Sequence, residues 1–227
     1  MNDVKELLST DKQLKKARVH KRFKSKKNIV YLLSIEEKIV VMKWFKNRAK
    51  DYMQKEYELL SQTQTSFRKP QVIKKNDEHN FLLLHYINGS NVCDLINDYH
   101  VSSQRKTEII RHLSNWFAQF HQTYYKNVYT MIHGDANLRN FLFKNDIYGL
   151  DFEEVKQGKP VEDIADIYAS ILTTDPGYTK EKNRIGAAFL QTYQSIVPYT
   201  LENVEEMITV AIKKRQRKKR VKTDYKS

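Results

Sequence analysis

The chain has 227 residues, of which 40% are hydrophobic, so it can bury the core of one large domain or of two small lobes. Its formal net charge of +13 favours an anionic partner such as a nucleotide, a nucleic acid or an acidic protein surface. The single cysteine, Cys93, excludes an internal disulfide and a zinc site built from cysteines. The sequence has neither a signal peptide nor an apolar stretch of the about 20 residues that span a bilayer, so we expect a cytoplasmic protein without a membrane partner.

Strand patterns dominate the first third of the chain. The basic residues before position 28 predict a short helix that leads into an edge strand. Two β-rich runs follow, and the pair Glu36-Glu37 between them has the spacing of a hairpin turn. We expect strands at 29–33, 38–45 and 81–87, a helix from Asn47 to about Ser61, and one more strand between Pro70 and a polar turn at 74–78. The sequence therefore predicts a five-stranded sheet interrupted by one helix.

Helical patterns dominate the rest of the chain. Between Arg105 and Tyr125, apolar residues repeat at helical spacing and form a broad stripe. We expect two short strands at 141–143 and 147–150, and three further helices at 163–172, 180–196 and 201–214. A dense basic run, 213–222, continues from the last helix. This order of elements predicts an α+β fold with a β-rich first lobe and a mainly helical second lobe.

The most informative motif is the run His133-Gly134-Asp135, with Asn140 five positions after the aspartate and Asp151 at the end of the next apolar stretch. Phosphoryl transfer from a nucleotide needs one acceptor for the proton of the substrate hydroxyl and oxygen ligands for magnesium. Asp135 suits the first role, as catalytic base or substrate-orienting group, and Asn140 and Asp151 suit the second. Because each residue alone is also a common turn former, the hypothesis depends on their combination.

These motifs and the order of the two lobes resemble the protein-kinase-like superfamily, in the form shared by aminoglycoside and choline kinases and by the small atypical kinase of the KEOPS tRNA-modification complex. The resemblance covers about residues 19–222. It implies a single bilobal domain, with an N-lobe at 19–89, a reduced C-lobe at 90–212 and a basic tail at 213–227. It also implies ATP as the nucleotide and Mg²⁺ or Mn²⁺ as the metal.

The resemblance assigns nucleotide-binding residues in the first lobe. Lys43 follows Val-Val-Met on the third strand, as the phosphate-binding lysine of kinases does, and Glu56, rather than Glu58, is its expected partner on the next helix. The strand that ends near residue 87 resembles the kinase hinge, where backbone groups of His85 and Ile87 would meet adenine. The alternatives are a solvated lysine and an ordinary buried strand.

Two residues of the second lobe are expected to support the site. The resemblance implies that His133 packs against the metal-binding loop rather than transferring protons. It also implies that Asp163 accepts hydrogen bonds from the backbone of the catalytic loop, although an aspartate at this position could also be a helix N-cap.

The sequence departs from the kinase pattern in three places. No glycine precedes Gly89, so the glycine-rich loop that covers the phosphates is missing, and the lysine-rich stretch 22–28 takes its place. Glu153 stands where protein kinases have the glycine of Asp-Phe-Gly, which argues against a switchable activation loop. No Ala-Pro-Glu run follows Asp151, and the remainder is short. We therefore expect a minimal kinase whose activity or substrate is defined by a protein partner.

The first hypothesis for function is a minimal atypical Ser/Thr protein kinase or ATPase that acts with a partner complex in tRNA modification. The short chain, the run from Glu162 to Tyr168 and the basic tail favour it, because lysine and arginine in the tail could bind tRNA phosphates. The candidate tRNA contacts are Lys213, Lys214, Arg215, Arg217, Lys218, Lys219 and Arg220. A solvated helix end is the alternative interpretation of the tail.

Two further hypotheses stay open. One is a small-molecule kinase of the aminoglycoside or choline phosphotransferase type, which the Asp-Phe-Glu run fits, although such enzymes usually carry longer insertions around the substrate. The other is a weakly catalytic nucleotide-binding scaffold for tRNA or a protein partner. The missing glycine loop supports the scaffold, and the intact set of Asp135, Asn140 and Asp151 opposes it.

Overall fold

The computed structural model describes residues 8–9, 11, 14–25, 27–46 and 50–224, with side chains described as far as residue 217. The chain divides into two compact units, one formed by residues 1–63 and 70–88, the other by residues 64–69 and 89–227. Within the described part of the chain, no helix is both long and apolar enough to cross a membrane.

The first unit is an antiparallel sheet with one helix. Its strands are β1 (Arg18–Phe23), β2 (Ile29–Ile35), β3 (Lys38–Trp44), β4 (Val72–Asn76) and β5 (Phe81–His85), and α1 (Lys50–Ser61) lies between β3 and β4 in the chain. The five strands pair in the order β1-β2-β3-β5-β4. Glu36 and Glu37, both with positive φ, form the two-residue hairpin between β2 and β3, which is the backbone conformation that such tight hairpins require.

Alternation along the strands separates two faces of this sheet. Val40 and Met42 of β3 pack with Leu33 and Phe81 in a buried cluster on one face. Lys43 points to the opposite face, because successive strand residues alternate. The predicted five-stranded sheet with one helix is confirmed. The predicted helix start at Asn47 lies outside the described residues.

The second unit is mainly helical. Its helices are α2 (Val92–Asn97), α3 (Ser103–Tyr124), α4 (Pro160–Thr173), α5 (Lys180–Ile196) and α6 (Val204–Asp224). Its strands are β6 (Ser90–Asn91), β7 (Thr130–Ile132), β8 (Phe141–Lys144), β9 (Asp146–Gly149) and β10 (Lys156–Gly158). Sheets of order β6-β8-β9 and β10-β7 flank two short 3-10 turns, Leu138–Asn140 and Phe152–Glu154. The most extensive helix packing is between α3 and α5 and between α4 and α6.

Trp116 of α3 is the centre of the second unit's aromatic core. Its ring packs against Phe67, Phe117, Phe120, Phe141 and Phe152. Its Nε1–H donates to the carbonyl oxygen of Arg68 at 2.8 Å. A Cβ added at Gly149 would lie 2.3 Å from this ring, so only glycine allows the end of β9 to approach it. The core thereby fixes the strand end that leads to Asp151.

Several element boundaries differ from the sequence prediction, among them two strand boundaries in the first unit and the end of the last helix. Lys74, Lys75 and Asn76 belong to β4 rather than to a turn, and β5 ends at His85 rather than at Ile87. The lysines are tolerated because β4 is an edge strand and their ammonium groups have partners, such as Asp11 for Lys74 at 2.7 Å. The last helix continues through the basic run to Asp224.

Candidate active site

Residues 133–140, called the HGD loop below, join β7 to β8 and end in the 3-10 turn Leu138–Asn140. Gly134 has φ 78°, and a Cβ there would lie 2.3 Å from the carbonyl oxygen of Glu154, so the position requires glycine. The next residue, Asp135, is exposed. The side-chain amide of Asn140 donates to the backbone oxygen of Asp135 at 2.9 Å and to its Oδ2 at 3.3 Å. Because Nδ2 of Asn140 is committed to Asp135, its Oδ1 is the atom that could face a metal.

Asp151 stands directly after β9 and the half-buried Leu150. The amide of Leu150 donates to the backbone oxygen of Asn140 at 2.8 Å, which ties this segment to the HGD loop. Asp151 adopts a left-handed backbone conformation with φ 62°, uncommon for a residue other than glycine and tolerated best by Asp and Asn. Such strained positions cluster at functional sites, which agrees with the metal-binding role predicted for Asp151.

Glu153 is a candidate metal ligand that the sequence reasoning missed. It is buried, and one of its carboxylate oxygens lies within 4.8 Å of one of Asp151. Two carboxylates this close can share a divalent cation, which prefers oxygen ligands. The sequence did show a carboxylate at the position of the Asp-Phe-Gly glycine. That substitution was interpreted only as the loss of a flexible activation loop and not as an additional metal ligand.

His133 lies against the segment that carries Asp151. Its Nε2 is 2.9 Å from the carbonyl oxygen of Leu150, so Nε2 carries the proton and donates it. Its ring packs against Phe141 and Phe152 at centroid distances of 5.6 and 5.2 Å. This surrounding suits the packing role proposed for His133 from the sequence, not a proton-transfer role.

Asp163 of α4 holds the start of the HGD loop. Its Oδ2 accepts the backbone N–H of His133 at 2.6 Å, and its Oδ1 accepts that of Gly134 at 3.2 Å. The Nε2 of His121, a buried residue of α3, is 3.1 Å from the same Oδ2. Because α4 begins at Pro160 with Lys159 as its N-cap, Asp163 is not the N-cap residue.

A chain of hydroxyl groups extends from His121. Its Nδ1 is 2.7 Å from the hydroxyl of Tyr193, which is 2.8 Å from the hydroxyl of Tyr199. Burial raises the pKa of Tyr193 far above its ordinary value and that of Tyr199 to about 12, so both hydroxyls keep their protons at neutral pH. The chain fixes the ring of His121 and, through it, the carboxylate of Asp163.

In the first unit, Lys43 and Glu56 form a buried pair. The Nζ of Lys43 is 2.5 Å from Oε2 of Glu56, and the two residues are 6% and 2% exposed. The ammonium also lies 5.0 Å from the centre of the Phe45 ring, a cation–π contact. The predicted choice of Glu56 over Glu58 agrees with this contact, since Glu58 is exposed and accepts from Gln54.

Partly exposed apolar side chains share the sheet face of Lys43. Val30 pairs with Lys43, and Leu32 pairs with Val41, in the register of β2 and β3. All three apolar residues are half-buried, whereas their neighbours on the other face are fully buried. An apolar surface beside a buried lysine suits a planar base next to its phosphates, so these residues join the candidate nucleotide-binding set.

The remaining first-unit predictions concern the end of β5 and the segment before Ile29. The N–H of His85 donates to the carbonyl oxygen of Gln71 at 2.9 Å, so its own carbonyl is the group it could offer to adenine. Ile87 follows β5 and is half-buried. In the lysine-rich stretch 22–28, the amide of Asn28 donates to Oγ of Ser25 at 3.3 Å. The adenine contacts stay a prediction.

The proposed tRNA contacts on helix α6 differ in whether their side chains contact other parts of the second unit. Lys213 and Arg217 are exposed. Lys214 is 3.3 Å from Oδ2 of Asp166, and Arg215 is half-buried with its Nη2 directed at two backbone carbonyl oxygens. The side chains of Lys218, Lys219 and Arg220 lie outside the described residues, so the prediction for them rests on the sequence.

Comparison with known proteins connects this geometry to phosphoryl transfer. The model of a family described as the phosphotransferase enzyme family (APH) matches residues 97–202, just under half of the chain, a stretch that includes Asp135, Asn140, Asp151 and Asp163. A search of curated protein sequences gave no significant match.

Solved structures with the same fold cover most of the chain. A gentamicin complex of APH(2″)-IIa is 16% identical, with a TM-score of 0.64, 93% of this chain covered and 85% of the other. The macrolide 2′-phosphotransferase MphH from Brachybacterium faecium is 12% identical, with a TM-score of 0.63 and coverages of 92% and 88%. A candidate aminoglycoside phosphotransferase from Ralstonia eutropha JMP134 is 15% identical, with a TM-score of 0.60 and coverages of 81% and 76%. The chain has a kinase-like fold.

The predicted α+β kinase-like fold class is thus confirmed. The prediction of a phosphotransferase enzyme is confirmed at the level of the enzyme class by the family match. Phosphotransferases of this kind use ATP with a divalent metal ion, and the oxygen donors of Asn140, Asp151 and Glu153 are of the type that such a metal prefers.

Proposed function

We propose that this protein transfers the γ-phosphoryl group of ATP to a hydroxyl group of a small molecule, with Mg²⁺ or Mn²⁺ bound beside the nucleotide. The observation that carries the proposal is the pair of hydrogen bonds from the Asn140 amide to Asp135. They hold the carboxylate that would accept the hydroxyl proton next to the amide whose oxygen would face the metal.

Each candidate residue has a role in this proposal. Asn140, Asp151 and Glu153 would hold the metal, which when bound neutralises charge on the nucleotide phosphates. Lys43, oriented by Glu56 at 2.5 Å, would contact the α- and β-phosphates. Asp135 would accept the proton as the hydroxyl oxygen attacks.

The comparisons favour a small-molecule acceptor over a protein acceptor. The three solved structures include proteins named for aminoglycosides and for a macrolide, and none of these names supports a role in the KEOPS complex. The net charge of +13 nevertheless does not favour a polycationic acceptor such as an aminoglycoside. A macrolide and an uncharged polyol therefore belong in any acceptor panel beside gentamicin.

Asp151→Asn is expected to lower metal-dependent phosphoryl transfer on the order of 100-fold, since a ligand carboxylate contributes several kcal/mol to the stabilisation of the transition-state charge. Asparagine is the suitable replacement because it tolerates the φ of 62° at this position. Transfer from labelled ATP is measured with each acceptor of the panel across a series of Mg²⁺ and Mn²⁺ concentrations.

The control for this experiment is Asp94→Asn, a change at an exposed aspartate of α2. It should leave both turnover and metal dependence as in the wild type. Equal turnover in Asp151→Asn and wild type at limiting metal would contradict the metal-binding role. If the wild type hydrolyses ATP but modifies no acceptor of the panel, the proposal of a small-molecule acceptor fails, whereas the proposal of an ATP-binding site remains supported.

A second candidate function is the partner-dependent kinase that binds tRNA through its basic tail. The exposed Lys213 and Arg217, one helical turn apart on α6, favour it. Deleting the whole tail would also remove Arg215 and disturb the contacts of its side chain with the loop. Neutralising only Lys213 and Arg217 leaves the contacts of Lys214 and Arg215 in place and so separates tRNA binding from the fold.

Lys213→Gln combined with Arg217→Gln is expected to weaken tRNA binding and to reduce the slope of log affinity against log salt by about 1 for each tRNA phosphate that the protein no longer neutralises. Binding is measured over a series of salt concentrations. Glu205→Gln combined with Glu206→Gln, two exposed changes on the same helix, is the control and should not reduce the slope. Equal slopes in the cation variant and the wild type would refute the tail as a tRNA-binding segment.

A further inference from the structure

Arg215 of helix α6 turns inward. The half-buried Arg215 follows the stripe Met207, Ile208 and Ala211, through which α6 packs on Ala165 and Ala169 of α4. One turn beyond that stripe, the guanidinium reaches the HGD loop. Packing of the two helices therefore sets where this group lies.

The Nη2 of Arg215 donates two hydrogen bonds to backbone oxygens. One goes to the carbonyl of Ala136 in the HGD loop at 3.3 Å, the other to the carbonyl of Asp166 in α4 at 3.2 Å. Burial lowers the pKa of Arg215 from its ordinary value, while the charges of Asp166 and Asp135 oppose that change. Ala136 directly follows Asp135 in the chain, so the hydrogen bond to its carbonyl places the guanidinium at the peptide next to the candidate catalytic aspartate.

The same loop is held by two further side chains of α4. Asp163 accepts the amides of His133 and Gly134 at the start of the loop, and Ser170 accepts the amide of Leu138 through its Oγ at 3.2 Å. Asp163 and Ser170 are seven residues apart, two helical turns, and so lie on one face of the helix. Between these two anchors, Arg215 binds the peptide oxygen of Ala136, the residue directly after Asp135.

We propose that Arg215 is a positioning residue of the phosphotransferase site, which holds the peptide after Asp135 and thereby keeps the Asp135 carboxylate in place. The proposal rests on the phosphoryl-transfer function proposed above. Through Arg215, the C-terminal helix becomes part of the catalytic apparatus. A displacement of about 1 Å at a reacting group can cost 100-fold in rate, so an anchor directly beside Asp135 has a large effect.

Arg215→Met tests the proposal, because methionine keeps an apolar, unbranched stem at this half-buried position and removes the donors. We expect kcat to fall roughly 10- to 100-fold while the KM for ATP changes less than about twofold, since the proposed nucleotide contacts lie in the first unit and not at this loop peptide. Arg215→Lys should recover part of kcat, because an ammonium still donates but lacks the planar fork. Arg111→Met, at an exposed arginine of α3, is the matched control and should behave as the wild type.

Hydrogen exchange of the peptide that contains residues 133–140 gives a readout that does not depend on activity. Exchange should be faster in Arg215→Met than in the wild type and in Arg111→Met, with the amides of β8 and β9 unchanged. Unchanged kcat, or equal loop exchange, would overturn the proposal. So would a fall in kcat accompanied by faster exchange throughout the second unit, since that pattern indicates a purely structural role. If the wild type transfers no phosphoryl group, the proposed function fails, and loop exchange alone decides whether Arg215 anchors the loop.

Discussion

Asp135→Asn is expected to lower ATP turnover by about 10²- to 10⁴-fold, the range that general base catalysis contributes. The amide has almost the shape of the carboxylate but cannot accept the proton of an attacking hydroxyl. The side chain is exposed, so the substitution should change the free energy of unfolding by no more than about 0.5 kcal/mol. Turnover and thermal unfolding of the same preparation measure both quantities.

The combination of these two results separates a catalytic from a structural aspartate. If Asp135 only formed a turn, Asp135→Asn would keep both stability and activity, because asparagine also forms turns. A catalytic Asp135 loses activity and keeps stability. Turnover within about threefold of the wild type, measured beside Asp94→Asn, would exclude Asp135 as the catalytic base.

Short-range patterns made much of this site predictable. Asp135 and Asn140 are five residues apart in one loop, and their hydrogen bonds follow from that spacing. Lys43 and Glu56 are only 13 residues apart, and the resemblance to kinases, in which the partner of this lysine lies on the next helix, was enough to pair them. The hairpin at Glu36 was predictable because two residues between β-rich runs leave few other conformations.

Two long-range contacts at the site escaped the sequence reasoning for a physical reason. Arg215 meets Ala136 across 79 residues, and nothing in a basic run of the sequence marks an arginine that packs inward. His121 meets Asp163 across 42 residues, at a helix position that resembles any other. The predicted strand β4 was too short because the lysines at its end resemble a polar turn. In the structure they belong to the strand, since β4 is an edge strand and the lysines have acidic partners.

Asp163→Ala is expected to lower the free energy of unfolding by at least about 3 kcal/mol, because two buried N–H donors and one half-buried N–H donor lose their acceptor at about 1–3 kcal/mol each. These donors are the amides of His133 and Gly134 and the Nε2 of His121. For a chain of this size the melting temperature should fall by roughly 6–12 °C. Thermal and denaturant unfolding measure the change, with Glu202→Ala, at an exposed position before α6, as the control.

The size of this loss distinguishes two roles for Asp163. A carboxylate that only favours the start of α4 contributes about 1 kcal/mol, as helix caps and first-turn acids do. A carboxylate that anchors the HGD loop contributes several times more, and its removal also frees the backbone beside Asp135. A loss near about 1 kcal/mol with unaltered hydrogen exchange at residues 133–140 would therefore assign Asp163 to the helix rather than to the site. A larger loss with faster exchange there would make α4 the element that fixes the catalytic aspartate.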